Sequence, residues 1–244
     1  MRLVLASLSG QSDADWARAG AAYADAAVLG GIALDERSRA AAEALVARDR
    51  DEFLPDDPLA FVDDQLSALD DAPLRSGFNV RSTTPLHVRA AAEICAAHDA
   101  ILEVNAHCRQ EELCAVGCGE TLLRDTDRLR AYVAAAAETG ATVSVKVRAE
   151  VPGVDLVETA RAVEAAGAAA IHVDAMDSES VVGDVAAATD LYLVANNGVR
   201  DRETVREYAD YGADAVSVGR PSDDSRVLSR VRDAVDERRR EASP

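Results

Sequence analysis

The chain contains a single lysine, Lys146; every other cation among its 26 Lys and Arg is arginine, set against 44 Asp and Glu. The resulting formal charge of −18 and pI of about 4.5 leave no general basic surface. Phosphate binding draws its affinity from Lys and Arg, so such a balance ordinarily argues against a nucleic-acid partner. A competing reading is adaptation to high salt, in which repulsion is screened and hydrated surface carboxylates keep the protein soluble. The charge then says little about partners, and full stability at very low salt would sink that reading. No apolar run approaches the roughly 20 residues of a membrane-spanning helix. The opening "MRLVLASLSGQSD" also lacks the apolar stretch and cleavage site of a secretory signal. The expectation is a cytoplasmic protein with no membrane partner.

With 244 residues and 48% hydrophobic content, the chain can bury a sizeable core as one domain spanning 1–244. Eight short β-like runs recur: "RLVLAS", "AAVLGGI", "SGFNVR", "AILEVN", "TVSVKVR", "AAIHVDA", "LYLVANN" and "AVSVGR". Ala-rich segments with helical spacing separate most of them, which predicts strand then helix, repeated. Thr84-Pro85 reads as an N-cap followed by proline at the first helical position, with Leu86, Ala90 and Ile94 forming an apolar face. Gly167 and Gly212 close two further helices, and "DERRREASP" reads as a frayed end. Eight such units joined by right-handed crossovers predict an α/β fold, a (β/α)8 TIM barrel, over an open doubly wound sheet. The longest connection, about residues 33–75, is expected to be a helical acidic insertion.

In such barrels the chemistry projects from the C-terminal ends of the strands. Polar residues fall there: Gly10 and Asp13 after the first strand, Asn79 and Arg81 in the third, Asn105 and Cys108 at the fourth, and Lys146 and Arg148 at the fifth. Asp174 ends the sixth, Asn196, Asn197 and Gly198 the seventh, and Gly219 and Arg220 the eighth. Lys146 is the most informative, because a chain that otherwise uses arginine keeps a compact, titratable ammonium on an apolar strand. It reads as a partner for an anionic cofactor or a carbonyl, or as a lysine whose stem merely snorkels. "AVSVGRPS" offers backbone N–H groups and a cation where this fold commonly holds phosphate.

Three of the four cysteines lie in "NAHCRQEELCAVGCGETLL", residues 105–123. Cys108-x5-Cys114-x3-Cys118 lacks a zinc-knuckle spacing and needs a fourth ligand such as His107, so no metal site is assigned. Cys95 reads as a small core residue of a helix. Cys108, just past a strand end, can exchange a proton if its pKa is tuned. His172 and Asp174 share one face of their strand, as a functional pair or as a hydrogen-bonded core and rim. His87 and His98 read as solvated surface.

Taken together these stretches resemble the flavin-dependent tRNA-dihydrouridine synthases. Asn105, Cys108, Gly117, Gly119, Leu122 and Leu123 match that family's fourth-strand motif without a gap. "LASLSGQSD" is similar to its first-strand flavin loop, "VSVKVR" to its Lys-x-Arg strand, "ANNGV" to its Asn-Gly turn and "VSVGR" to its phosphate-binding Gly-Arg. The resemblance implies FMN in the barrel mouth, with NADPH or NADH as electron donor. Asn105, Lys146, Arg148, Asn197, Gly198, Gly219 and Arg220 would contact the cofactor, Lys146 near the flavin's pyrimidine edge. Reduced FMN would give hydride to a uracil double bond in tRNA while Cys108 protonated the other carbon. Asn105, Arg109, His172 and Asp174 would meet the substrate.

The chain also departs from the pattern. Arg109 stands in place of the family's proline, Asp174-Ala175-Met176 in place of a sixth-strand His-Gly-Arg, and Val199 in place of an acidic residue. The family's C-terminal helical tRNA-gripping domain is expected to be missing. A free pyrimidine or another small unsaturated substrate, as in a dihydroorotate dehydrogenase-like enzyme, and a non-redox phosphate-binding barrel are the competing expectations.

Overall fold

Short strands buried on both faces alternate with capped helices along the whole chain. The computed structural model describes residues 1–242. Its elements run β1 (Arg2–Leu5), α1 (Ala14–Gly20), β2 (Ala26–Ala33), α2 (Glu36–Val46), α3 (Pro58–Ser67), β3 (Arg75–Arg81) and α4 (Pro85–Ala97). Then come β4 (Ile101–Asn105), α5 (Glu111–Ala115), α6 (Glu120–Leu123), α7 (Thr126–Ala137), β5 (Thr142–Arg148), α8 (Leu156–Ala165) and β6 (Ala170–Asp174). The last are α9 (Val181–Ala188), β7 (Tyr192–Asn196), α10 (Arg202–Asp210), β8 (Ala215–Val218), a 3₁₀ turn (Arg220–Asp223) and α11 (Ser225–Ala242).

All eight strands pair in parallel and in sequence order, and β8 closes on β1, giving a (β/α)8 barrel. The abundant aspartate has a local use. Asp13, Asp35, Asp57, Asp125, Asp155 and Asp201 are N-caps whose carboxylates accept backbone N–H groups of the first helical turn. A negative charge is favourable there because it meets both unpaired donors and the positive end of the helix dipole. Asp35 does more: Ser82 Oγ (2.9 Å), Thr83 N (2.6 Å) and Thr83 Oγ1 (2.7 Å) also donate to it, tying α2 to the loop after β3. These bonds outweigh burial and hold its carboxyl down at about 2.

Residues 33–75 contain two helices with different places. α3 packs on β3 and α4 as an ordinary outer helix of the barrel, whereas α2 packs on α5 over the C-terminal side. Between them, Glu52 reaches back to Arg81 at 2.6 Å, with both side chains about 2% exposed. Arg81 also donates to Ser9 of the first-strand loop. β2 bulges at Gly30-Gly31, both at positive φ, and a Cβ on Gly31 would stand 2.6 Å from the Arg81 guanidinium. The bulge makes room for that buried ion pair.

Three sequence expectations on the outer helices need correction. The buried face of α4 is Val88, Ala91, Ala92 and Cys95, while Leu86 is 70% exposed. Proline at the first position turns the start of the helix outward, so the inward stripe begins two residues later. His98 is not solvated surface: its ring nitrogens meet Asp63 (2.9 Å) and Asp70 (3.0 Å), which raise its pKa. The basic C-terminal stretch is helical through Ala242 rather than frayed, with Arg239 donating to Met1 O at 2.7 Å; residues 243–244 lie outside the described residues.

Inside the barrel, residues two apart share a face. Toward the N-terminal ends of β1, β2, β7 and β8 the interior is apolar, filled by Val4, Val28, Val194 and Ala215. One step further along, on β3, β4, β6 and β8, it becomes polar.

Candidate active site

Asn79, Glu103, His172 and Ser217 project into the barrel interior, and all four are buried. Asn79 Nδ2 donates to Glu103 Oε1 at 2.7 Å, and Glu103 Oε2 faces His172 Nδ1 at 2.8 Å. His172 Nε2 faces Ser217 Oγ at 2.8 Å and the Asn196 amide at 3.3 Å. The chain is satisfied if His172 is neutral, gives its Nδ1 proton to Glu103 and accepts at Nε2. Burial favours that neutral form. Burial opposes the charge on Glu103, but His172, Lys146 and Asn79 overcome it and hold the carboxyl down at about 2. A carboxylate in the barrel interior thus has two hydrogen bonds and a facing ammonium.

Asn105 stands next to this network. Its Nδ2 donates to Asn79 Oδ1 at 2.8 Å, and its Oδ1 accepts from the backbone N–H of His107 (3.1 Å) and Cys108 (3.0 Å). This turn fixes the direction in which the chain leaves β4.

Above the network opens a cavity of about 450 Å³, a usual size for a small-molecule site. Its floor carries Lys146, Ser217 and Asn196; its walls come from the first-strand loop (Ala6 to Leu8), His107 with Asp174, and the turns after β7 and β8. Lys146 is buried, and its ammonium has no hydrogen-bond partner among the described residues. Burial lowers its pKa, and Glu103 and Asp174 act against that shift. Asn197 (φ +92) and Gly198 (φ +68) take left-handed conformations after β7. The backbone N–H groups of Gly198, Val199, Gly219 and Arg220 make no hydrogen bond among the described residues. A Cβ on Gly198 would meet nothing within 4 Å, and one on Gly219 only Leu8 at 3.9 Å. Exposed Arg220 beside them has no counterion among the described residues. Unpaired N–H groups, a guanidinium without a counterion and a buried ammonium without a hydrogen bond stand in one mouth, a donor set suited to an anion.

Of the residues singled out in the sequence, the fold gathers Lys146, Asp174, Asn197, Gly198, Gly219 and Arg220 around this cavity. Five others do not line it. Asn105 and His172 belong to the interior network. Arg148 turns aside to pair with Glu120 at 2.8 Å and to contact Met176 Sδ at 3.4 Å. Arg109 is exposed on the loop after β4. Cys108 is turned away into a cluster with Ala41 and Leu45 of α2, Leu113 and Cys118. Gly119 (φ +57) packs against it so closely that a Cβ would lie 2.0 Å from the Cys108 carbonyl oxygen. Burial pushes its thiol up to about 11, against the pull of nearby Arg81. Cys114 and Cys118 each contact a backbone carbonyl, of Cys108 (3.5 Å) and Ser82 (3.4 Å) respectively.

Sequence reasoning missed Glu103 and His107. Glu103 had a legible signal, an acidic residue two before Asn105 in an otherwise apolar strand. His107 had none beyond its place in a strand-end loop, because its partner Asp174 lies 67 positions away.

A closed parallel barrel with unpaired N–H groups in the turns after its seventh and eighth strands belongs to the class of (β/α)8 barrels, in which those turns commonly hold phosphate. Within that class the chain belongs to the dihydrouridine synthase (Dus) family, whose model matches residues 63–244. An uncharacterized protein of Methanocaldococcus jannaschii is 25% identical over 90% of this chain and 88% of its own length. Among solved structures, thiamine phosphate pyrophosphorylase of Pyrococcus furiosus superposes with a TM-score of 0.58 at 10% identity, covering 99% of this chain and 97% of that one. A chain of the Pyrococcus furiosus tryptophan synthase complex does so with a TM-score of 0.61 at 12% identity, covering 96% and 98%. These two likenesses concern the barrel fold alone.

Proposed function

We propose that the chain is an FMN-dependent oxidoreductase that reduces uridine in tRNA to dihydrouridine, with NADPH or NADH as the source of electrons. Membership of the Dus family supports the reaction class. The observation that carries the cofactor is the mouth itself: a buried lysine with no hydrogen-bond partner among the described residues on the floor, and unpaired N–H groups with Arg220 at the rim. FMN is an anion with an electron-rich ring edge, and this donor set fits it. Gly198, Val199, Gly219 and Arg220 would hold the phosphate, and Lys146 would meet the ring. When bound, the reduced cofactor supplies a hydride.

The protein's own groups do the rest. Burial lowers the Lys146 pKa and Glu103 and Asp174 act against that shift; in its ammonium form the residue would stabilise negative charge developing beside it. The His172–Ser217–Asn196 contacts hold the cavity floor in one arrangement. On the substrate side, exposed Arg109 and Arg220 follow β4 and β8, and Arg200 after β7 lies 3.7 Å from Asp201, a small cationic rim on a chain of net charge −18. That rim favours a polyanionic substrate over a free pyrimidine.

The test is direct. Protein purified in high salt should be yellow, or become so with added FMN, and tRNA from a deletion strain should lose dihydrouridine. A colourless protein that takes up no flavin refutes the cofactor reading. Unchanged dihydrouridine content refutes the RNA substrate and leaves a small pyrimidine.

A further inference from the structure

One wall of the cavity carries two side chains with no role so far. His107 Nε2 lies 2.6 Å from Asp174 Oδ2, and both residues line the mouth, where the imidazole keeps 28% of its side-chain surface open. Met176 N donates to Asp174 Oδ1 at 3.2 Å, and Asn105 Oδ1 receives the His107 backbone N–H at 3.1 Å. The bonds from His107 and Met176 hold the Asp174 carboxyl below its ordinary value despite burial, so it is an acceptor only. The hydrogen between the two therefore sits on Nε2. Asp174, Lys146 and His172 are the charged and titratable groups that face the ring; burial, joined by Lys146, outweighs Asp174 and keeps a second proton off it near neutrality. What is left is Nδ1, a lone pair with no partner among the described residues. Asn105 is in register with Lys146, and His107 stands two residues further on, nearer the opening than the lysine on the floor.

We propose that His107, oriented by Asp174, reads the substrate base: its Nδ1 accepts the N3–H of uracil, and the site thereby selects uracil over cytosine. The inference rests on the uridine-reducing reading above and names the residue that sets its choice of base. Uracil carries N3–H between two carbonyl groups. Cytosine carries a lone pair at the same ring position, which would face the lone pair of Nδ1. A site that offers an acceptor rejects the ring that lacks the donor, because both atoms are then left unpaired away from water. Reading the hydrogen-bonding edge of a base is also how enzymes acting on a displaced nucleotide recognise it. Asp174 is the positioning residue, since it decides which ring nitrogen holds the proton.

The arrangement makes D174N a sharper probe than simple removal. Asparagine keeps an oxygen for the Met176 N–H, which turns its NH₂ toward His107 Nε2. Nε2 must then accept, the ring moves its proton to Nδ1, and the atom facing the substrate changes from acceptor to donor. A donor there suits the N3 lone pair of cytosine. Removing the ring abolishes the choice of base, whereas changing its tautomer reverses it.

The experiment uses the full chain loaded with oxidised FMN, in slightly alkaline buffer at high salt, titrated with oligouridylate and with oligocytidylate of equal length while the flavin absorbance reports binding. Equal length cancels the contribution of the cationic rim. The wild type should bind oligouridylate about tenfold or more tightly than oligocytidylate, and H107A, compared at full flavin occupancy, should bind the two within about threefold of each other. D174N should favour oligocytidylate. Nitrogen-edited imidazole spectra of the flavin-free chain read the tautomer without any ligand, and should show His107 as Nε2–H in the wild type and as Nδ1–H in D174N. A wild-type Nδ1–H tautomer, an H107A chain that keeps the full preference, or a D174N chain with the wild-type preference overturns the proposal and leaves the oxidoreductase reading standing. A wild type whose flavin does not respond to oligouridylate also overturns it. Reoxidation of the reduced flavin by an unmodified tRNA transcript then decides whether the oxidoreductase reading survives.

Discussion

Replacing Glu103 by glutamine tests whether the barrel interior is organised around an ionised carboxylate. The wild-type group accepts from Asn79 Nδ2 at 2.7 Å and from His172 Nδ1 at 2.8 Å. Glutamine offers one acceptor oxygen for those two donors, so either one buried donor must face an NH₂ group or His172 must switch tautomer, which sets its Nε2–H against the Asn196 amide at 3.3 Å. Rotating the Asn79 amide does not help, because it sets the Asn79 NH₂ against the Asn105 Nδ2 that now donates to it at 2.8 Å. One unmet buried donor costs about 1–3 kcal/mol. From the charge side, a carboxyl lowered from 4.5 to about 2 carries about 3 kcal/mol of pH-dependent stability. The two figures describe overlapping interactions and do not add, so the expected loss in E103Q is about 3 kcal/mol. In a chain of this size that is a fall of roughly 10 °C in melting temperature. The sign with pH follows from the folded pKa lying below the unfolded one. The stabilisation is complete above the unfolded value of 4.5 and is lost as pH falls toward about 2, so wild type and E103Q should converge there. Denaturant melts followed by circular dichroism, at one high salt concentration and over a pH series, measure both effects. A difference under about 1 kcal/mol at pH 7 would refute the ionised network, as would a large difference undiminished at about pH 3.

Three further outcomes follow from the same geometry. Gly119→Ala places a methyl 2.0 Å from the Cys108 carbonyl oxygen at φ +57; the loop must shift, with a loss of about 2–4 kcal/mol in the same melts. Asp35→Ala removes a helix N-cap together with the tie to Ser82 and Thr83, for an expected loss of about 2–3 kcal/mol. Because the Asp35 carboxyl is held at about 2, that contribution is present above the unfolded value of 3.8 and fades as pH drops below it. Lys146→Met should weaken FMN uptake by about tenfold or more, roughly 1.4 kcal/mol by fluorescence titration, and unaltered affinity would remove Lys146 from the cofactor site.

The barrel was legible because its signals are local: eight β-like runs, helix caps, and glycines where helices stop. The anion side of the mouth was legible for the same reason, since Lys146, Asn197-Gly198 and Gly219-Arg220 each stand at a strand end, and in a closed barrel strand ends converge. What escaped was every feature decided by which way a side chain turns after its strand. Asn105 and Cys108 sit three residues apart in one motif, yet Asn105 caps the turn that sends Cys108 under α2. Gly119, eleven positions later in the same loop, then packs against Cys108 and keeps it there. Arg148 follows Lys146 by two and shares its strand face, but Glu120 from another loop captures it. Conversely, His107 stood out in the sequence only as a conceivable fourth metal ligand, and only the closing of β4 against β5 and β6 brings Asp174 to it. A motif names the strand end that carries chemistry, and the partners that arrive from other loops decide which of its side chains reaches the cavity. On that reasoning the Asn105–Cys108 segment marks a wall of the cavity, and of its four residues it is His107 that reaches the opening.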